Sequence, residues 1–217
     1  MSPTPEPPPR RLTGAIVPAL AAAGLAGLLA LWLVWPRTES TSAPEGCITQ
    51  QLQAIGGPIN LVDTRGQAVT QNDITADGPS VLYFGFTHCP DACPTTMYTL
   101  AQALQNPNGY DIQPVLISID PERDTPAVMD AYVKTGGFPQ GLIGLTGTPE
   151  QVRAAADAFR VVYSKSPLEG GDYTMNHTSF LYVMDRQWRT AAVMATQNAT
   201  PQAVAACIAA GLGASKR

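Results

Sequence analysis

The sequence has no cluster of lysine or arginine, few cysteines, no internal repeat, and no charged side chain between residues 12 and 36. Each absence excludes something. Binding phosphate backbones needs a basic face, and a chain with 13 Lys and Arg against 17 Asp and Glu offers none, which argues against a nucleic-acid partner. Four cysteines in 217 residues are too few to staple a fold in the way small secreted domains are stapled. The uncharged run, by contrast, is long enough to matter. Roughly 20 helical residues cross a bilayer core at about 1.5 Å each, and residues 14–35 meet that length. Trp32 and Trp35 stand at its end, as interfacial aromatics do. Arg10 and Arg11 precede it and only Arg37 follows closely, so the positive-inside rule places the N-terminus in the cytoplasm and everything beyond Pro36 outside. A cleaved signal peptide is the rival reading, but the run is long and Thr41-Ser42-Ala43-Pro44 is a poor cleavage site. The expected layout is a single-pass protein of a bacterial inner membrane. Residues 1–13 form a cytoplasmic Pro-rich tail, 14–35 the anchor, 36–46 a polar linker, 47–212 one periplasmic domain, and 213–217 a C-terminal tail.

Beyond the linker, strand and helix signals alternate. Residues 59–63 and 67–70 flank Thr64-Arg65-Gly66, a hairpin signature. Residues 81–86 form a β-rich apolar run, and after Pro94 the residues Met97, Leu100, Ala101 and Leu104 recur at helical spacing. Residues 115–119 are an unbroken apolar run suited to a buried parallel strand. Thr125-Pro126 opens a helix through Val133, and residues 142–145 read as a short strand. Thr148-Pro149-Glu150-Gln151 is a capping box that opens a helix to about Phe159. Residues 161–163, 179–184 and 191–194 read as strands, the last two joined by a turn at Asp185-Arg186-Gln187, and Thr200-Pro201 starts a last helix. This order predicts an α/β thioredoxin-like sandwich with an N-terminal hairpin, preceded by one transmembrane helix.

The chemistry concentrates in Phe84-Gly85-Phe86-Thr87-His88-Cys89-Pro90-Asp91-Ala92-Cys93-Pro94, where two thiols stand at the passage from strand to helix. Pro94 suits a first helical position, which places Cys93 at the N-cap and Cys89 in the loop before it. Free amides and the positive end of the helix dipole stabilise a thiolate there. The thiolate is the form that binds soft metals or attacks disulfides.

That run, together with Ile119-Asp120-Pro121-Glu122-Arg123-Asp124-Thr125-Pro126, Leu145-Thr146-Gly147-Thr148 and Tyr173-Thr174-Met175-Asn176-His177-Thr178, resembles the Sco/SenC family of membrane-anchored copper proteins. The four motifs occur in order across about residues 57–212. The resemblance implies a domain that binds copper and helps assemble the copper centre of cytochrome c oxidase, with Cys89, Cys93 and His177 as metal ligands. It implies as partner the copper-binding subunit of that oxidase, or another copper chaperone. Donor chemistry agrees, since Cu(I) prefers soft thiolates and an added imidazole makes a three-ligand set that also holds Cu(II). A thioredoxin enzyme usually carries CxxC and a cis-proline in the loop before a late strand. Here the pair is one residue wider, and from the fold resemblance His177 takes the place of that proline. The chain is then a metallochaperone rather than an enzyme. The alternative is an anchored thiol-disulfide oxidoreductase that uses Cys89 and Cys93 as a redox pair to reduce the cysteines of the target copper site. A thiol peroxidase would need a threonine three positions before its cysteine, where Phe86 stands.

Other residues have competing readings. Cys89 and Cys93 could form a plain disulfide. His88 adjoins Cys89, but if it continues the strand its side chain points to the opposite face. Asp91 fits a cap or an Asx turn. Asp120, Glu122, Arg123 and Asp124 could make a carboxylate metal site, yet flanking prolines favour a loop that shapes and caps. Met97 and Met175 are soft donors, though methionine usually fills core. Cys207 lies with Val204 and Ile208 on an apolar helix face, where cysteine is normally inert. With Cys47 at the start of the folded region and both outside the cytoplasm, a structural disulfide between Cys47 and Cys207 is the competing expectation.

Overall fold

The computed structural model of the protein describes residues 43–76, 78–105 and 111–214. The expected tail, anchor and most of the linker lie outside the described residues. Among the described residues, no helix is long and apolar enough to cross a membrane.

The domain is built on β1 (Cys47–Ile48), β2 (Asn60–Asp63), β3 (Ala68–Thr70), β4 (Ser80–Gly85), β5 (Gln113–Ser118), β6 (Ile143–Thr146), β9 (Phe180–Met184) and β10 (Thr190–Ala195). These eight form one sheet in the order β1-β10-β9-β4-β5-β6-β2-β3. β4, β5 and β6 run parallel, while β9 lies antiparallel to β4. Every residue of β4 is buried, as an interior strand covered on both faces requires. Its alternate side chains serve two layers. Phe84 packs on Phe159 and Tyr182, whereas Tyr83 and Gly85 face helix α2 (Ala92–Leu104), where the Tyr83 hydroxyl meets the Cys93 thiol. The opening hairpin is set by Asp63, whose Oδ1 accepts the amides of Arg65 and Gln67 at 2.8 and 2.9 Å, with Gly66 at φ +77.

The remaining helices are α1 (Gln71–Thr75), α3 (Pro126–Val133), α4 (Pro149–Ala158) and α5 (Pro201–Ala214). Thr148 and Gln151 cap α4 reciprocally. The Thr148 amide donates to Gln151 Oε1 at 2.8 Å, and the Gln151 amide donates to Thr148 Oγ1 at 3.2 Å. α1 lacks an apolar period and was not expected. Its signal is local, the Thr70 amide donating to Asp73 Oδ2 at 2.8 Å. Cys47 pairs with Met194 in register, and α5 packs against β10. The expected disulfide joins Cys47 to Cys207, with Cα atoms 5.7 Å apart.

The largest departure is a second, two-stranded sheet formed by β7 (Tyr163–Pro167) and β8 (Tyr173–His177). The strand expected at 161–163 begins at Tyr163 instead, and the stretch carrying His177, expected as loop, is the second strand. The hairpin shows little apolar alternation because Met175 alone among its strand residues is buried, the others being half-buried or exposed, so the period that marks a half-buried strand is missing.

Candidate metal centre

α2 begins at Ala92, with Asp91 as its N-cap. Cys93 is therefore not the cap but a first-turn residue, and its side chain is buried. Pro94 fits in that turn because first-turn amides have no intrahelical acceptor. Cys89, in the preceding loop, is half-buried, and both thiols are free. Gly85 makes the approach of Cys93 to β4 possible. A Cβ there would sit 2.8 Å from a Tyr83 ring carbon and 3.1 Å from Cys93 Sγ.

The two sulfurs are electrostatically unequal. The Cys93 amide donates to Cys89 Sγ at 3.2 Å. Hydrogen bonding from the Cys93 thiol, then from the amides of Cys93, Asp91 and Ala92, overcomes burial and lowers the Cys89 pKa to about 6. The same thiol–thiolate bond, burial and the Cys89 charge push the Cys93 thiol up. Cys89 is thus the more acidic of the pair, and the last proton is held on Cys93. The expectation of an activated thiolate holds for Cys89 and fails for Cys93, because two adjacent thiolates repel and the buried one stays protonated. The Tyr83 hydroxyl lies 3.7 Å from Cys93 Sγ and 3.0 Å from Ser179 Oγ, which in turn is 2.7 Å from Thr196 Oγ1.

His177 closes β8 and reaches the same place. Its Nδ1 lies 2.9 Å from the Thr178 carbonyl. A carbonyl only accepts, so Nδ1 carries the proton and Nε2 presents a lone pair. Nε2 is 4.0 Å from Cys93 Sγ. Burial lowers the His177 pKa against the opposing Thr178 bond, which favours the neutral ring a metal requires. Tyr83 and Phe86 meet that ring edge-on, at centroid distances of 6.0 and 6.1 Å. A cleft of about 450 Å³ opens beside the site, with Cys89, Asp91, Thr95, Met175, His177 and Asn198 in its wall.

Of the other sequence candidates, Asp91 and Met175 line the cleft and the rest lie away from it. His88 is half exposed, with Nδ1 3.0 Å from Thr87 Oγ1 and 3.8 Å from Asp124 Oδ1. Asp91 accepts from Thr95 Oγ1 at 3.2 Å. Met97 is core, while Met175 is buried and lines the cleft. The 120–124 turn is structural, and more so than its prolines suggested. Asp124 is fully buried and accepts the Thr87 amide, the Thr87 hydroxyl and the Ser118 hydroxyl at 3.1, 2.6 and 2.6 Å. Asp120 accepts from Arg123 Nε at 2.6 Å and from the Tyr173 hydroxyl at 2.8 Å. Among the described residues, no three His, Cys, Asp or Glu side chains stand as a ready-made metal cage.

A family model described as SCO1/SenC matches residues 48–212. The chain belongs to the SCO1/SenC family. The mitochondrial SCO1 homolog 1 protein of Arabidopsis thaliana is 44% identical over 134 residues, which cover 60% of this SCO1/SenC chain and 39% of that protein. The chain thus spans about two fifths of that relative's length. The solved structure of Arabidopsis thaliana ScoI with copper bound is 36% identical, with a TM-score of 0.69, covering 74% of this chain and 99% of that one. Bradyrhizobium japonicum ScoI with copper bound is 39% identical, with a TM-score of 0.62, covering 71% and 98%. The shared architecture is the thioredoxin-like α/β fold.

Proposed function

We propose that this SCO1/SenC chain is a membrane-anchored copper chaperone. It binds copper through Cys89, Cys93 and His177 and delivers it to the copper centre of cytochrome c oxidase. The carrying observation is the 4.0 Å between Cys93 Sγ and His177 Nε2, with Nδ1 tied to the Thr178 carbonyl. Metal bonds of about 2.3 Å to sulfur and 2.0 Å to nitrogen put two such ligands roughly 3.5–4 Å apart when they share an ion. Cys89 adds a thiolate that is already ionised near neutral pH. Two thiolates and one imidazole suit Cu(I), and the nitrogen extends the set to Cu(II). Relatives solved with copper bound support the same reading. Copper is the cargo here, and loading it displaces the Cys93 proton. The uncharged run at 14–35 supports an anchor in the bacterial inner membrane with the domain in the periplasm. The cleft beside Cys89 gives the acceptor, the oxidase's copper-binding subunit or another chaperone, a route to the metal.

The test is metal content and optical spectrum of the full chain in detergent. A single copper per chain is expected, with intense sulfur-to-Cu(II) absorption lost in Cys89→Ser or Cys93→Ser and strongly altered in His177→Ala. An unchanged spectrum in His177→Ala removes the imidazole from the site. In cells, His177→Ala should impair oxidase assembly nearly as much as loss of either thiol. Full oxidase activity in that variant would promote the thiol-disulfide reductase instead, since a dithiol reductase has no need of the ring.

A further inference from the structure

The two halves of the site rest on unequal foundations. Cys93 stands on α2 inside the core, and Cys89 on the short loop between β4 and α2. His177 stands on the β7–β8 hairpin, in whose strands Met175 alone is buried and which is not part of the main sheet. An isolated two-stranded hairpin is marginally stable in water, so the place of the imidazole depends on what ties the hairpin down.

The tie is the 120–124 turn. Arg123 donates Nε to Asp120 Oδ2 at 2.6 Å and Nη1 to the Tyr173 carbonyl at 2.8 Å and to Asp172 Oδ1 at 3.2 Å. Its guanidinium carbon lies 3.7 Å from the Tyr173 ring centroid. Tyr173 returns its hydroxyl to Asp120 Oδ1 at 2.8 Å. Lys165, on β7, reaches the same ring at 4.5 Å and pairs with Glu122. One end of β8 is thereby fastened to the turn, and His177 is at the other end of the same strand. Asp124, in the same turn, holds Thr87, two residues before Cys89. The turn therefore grips both the thiol loop and the histidine strand.

We propose that the 120–124 turn is a strut that sets the distance between the thiol pair and the imidazole, with Arg123 as the positioning residue that latches the histidine hairpin. Arg123 touches no candidate ligand and acts through Tyr173. The inference rests on the reading of Cys89, Cys93 and His177 as the metal ligands, and one arm of its test needs no metal.

In the full chain in detergent, Arg123→Ala should speed hydrogen exchange of the β8 amides about tenfold in the metal-free protein, with β4 unchanged. With copper added, its Cu(II) affinity should fall about 10- to 100-fold, as for loss of an outer-shell partner, and its charge-transfer band should move towards that of His177→Ala. Arg123→Lys keeps the charge but not the planar fork, so it should recover less than half of the band shift. Wild-type β8 exchange in Arg123→Ala overturns the latch. A lowered Tm with an unchanged band, while His177→Ala does alter the band, shows a merely structural role and also overturns the proposal. If His177→Ala itself leaves the band unchanged, the ligand reading has failed, and the strut between thiols and imidazole falls with it even where exchange shows the hairpin loosened. Should Arg123→Ala not fold, Tyr173→Phe removes only the hydroxyl bond. It should give smaller shifts of the same sign, and no shift in either readout overturns the proposal.

Discussion

The four cysteines form two pairs that contrast in separation and in state. Cys89 and Cys93 are four positions apart and remain free, whereas Cys47 and Cys207 are 160 apart and joined. Distance along the chain does not decide the outcome. The distant pair closes because β1 is registered on β10 and α5 packs over that strand, which brings the Cα atoms to 5.7 Å. The near pair stays open, with Cys89 the more acidic of the two thiols. Cys93 is drawn into the core beside Tyr83 and Gly85, and Cys89 is held outside by the Cys93 amide. One pair constrains the unfolded chain, and the other is free.

The contrast breaks most sharply by deletion. Cys89→Ser or Cys93→Ser should abolish copper binding while the unfolding midpoint moves little, as equilibrium dialysis and a thermal melt will show. The reverse is expected of the Cys47→Ser, Cys207→Ser double variant. It should lose about 2–5 kcal/mol of stability in denaturant titration and keep the wild-type copper spectrum. Loss of copper in that variant at temperatures where it is folded would mean that the two pairs are not independent.

Gly85→Ala sharpens the comparison from within the core. The added methyl meets the Tyr83 ring and Cys93 Sγ, and such overpacking costs about 1–3 kcal/mol. A urea titration should show that loss together with a shifted sulfur-to-copper band, since the methyl pushes directly on a ligand atom. The smallest effect concerns protons. Alkylation tracks the thiolate fraction, so the rate at Cys89 should climb as pH rises through about 6 and level off by neutral pH. Cys93, with its thiol pushed up, should stay unmodified over the same range. Mass spectrometry of both peptides reads this, and equal rates with a common midpoint near an ordinary thiol's value of about 8.5 would erase the asymmetry.

Much of the fold was legible because its signals are local. Thr64-Arg65-Gly66 marks the first hairpin, Thr125-Pro126 and Thr148-Pro149 mark helix starts, and the apolar runs of β4 and β5 mark buried strands. Each is a preference satisfied within a few residues. The Cys89–Cys93 turn was legible for the same reason, and the wider motif set pointed to His177. The helix start was misplaced by two residues because Pro94 is tolerated anywhere in a first turn. The β7–β8 hairpin escaped because Met175 is the one buried residue of its strands, which therefore carry little apolar period.

What the sequence by itself determined is the strand-to-helix turn that carries Cys89 and Cys93, and the motif set that makes His177 a candidate partner for them. What only the tertiary structure decided is how the site is tuned and held. The Tyr83–Ser179 bond joins residues 96 apart, Thr87–Asp124 residues 37 apart, and Arg123–Tyr173 residues 50 apart. The unequal acidity of the two thiols comes from the hydrogen bond between them and from burying one of them in the folded core, and the aim of the His177 ring comes from a hairpin held by the 120–124 turn. Such terms depend on which groups share a low-dielectric space, and that is set when distant segments pack.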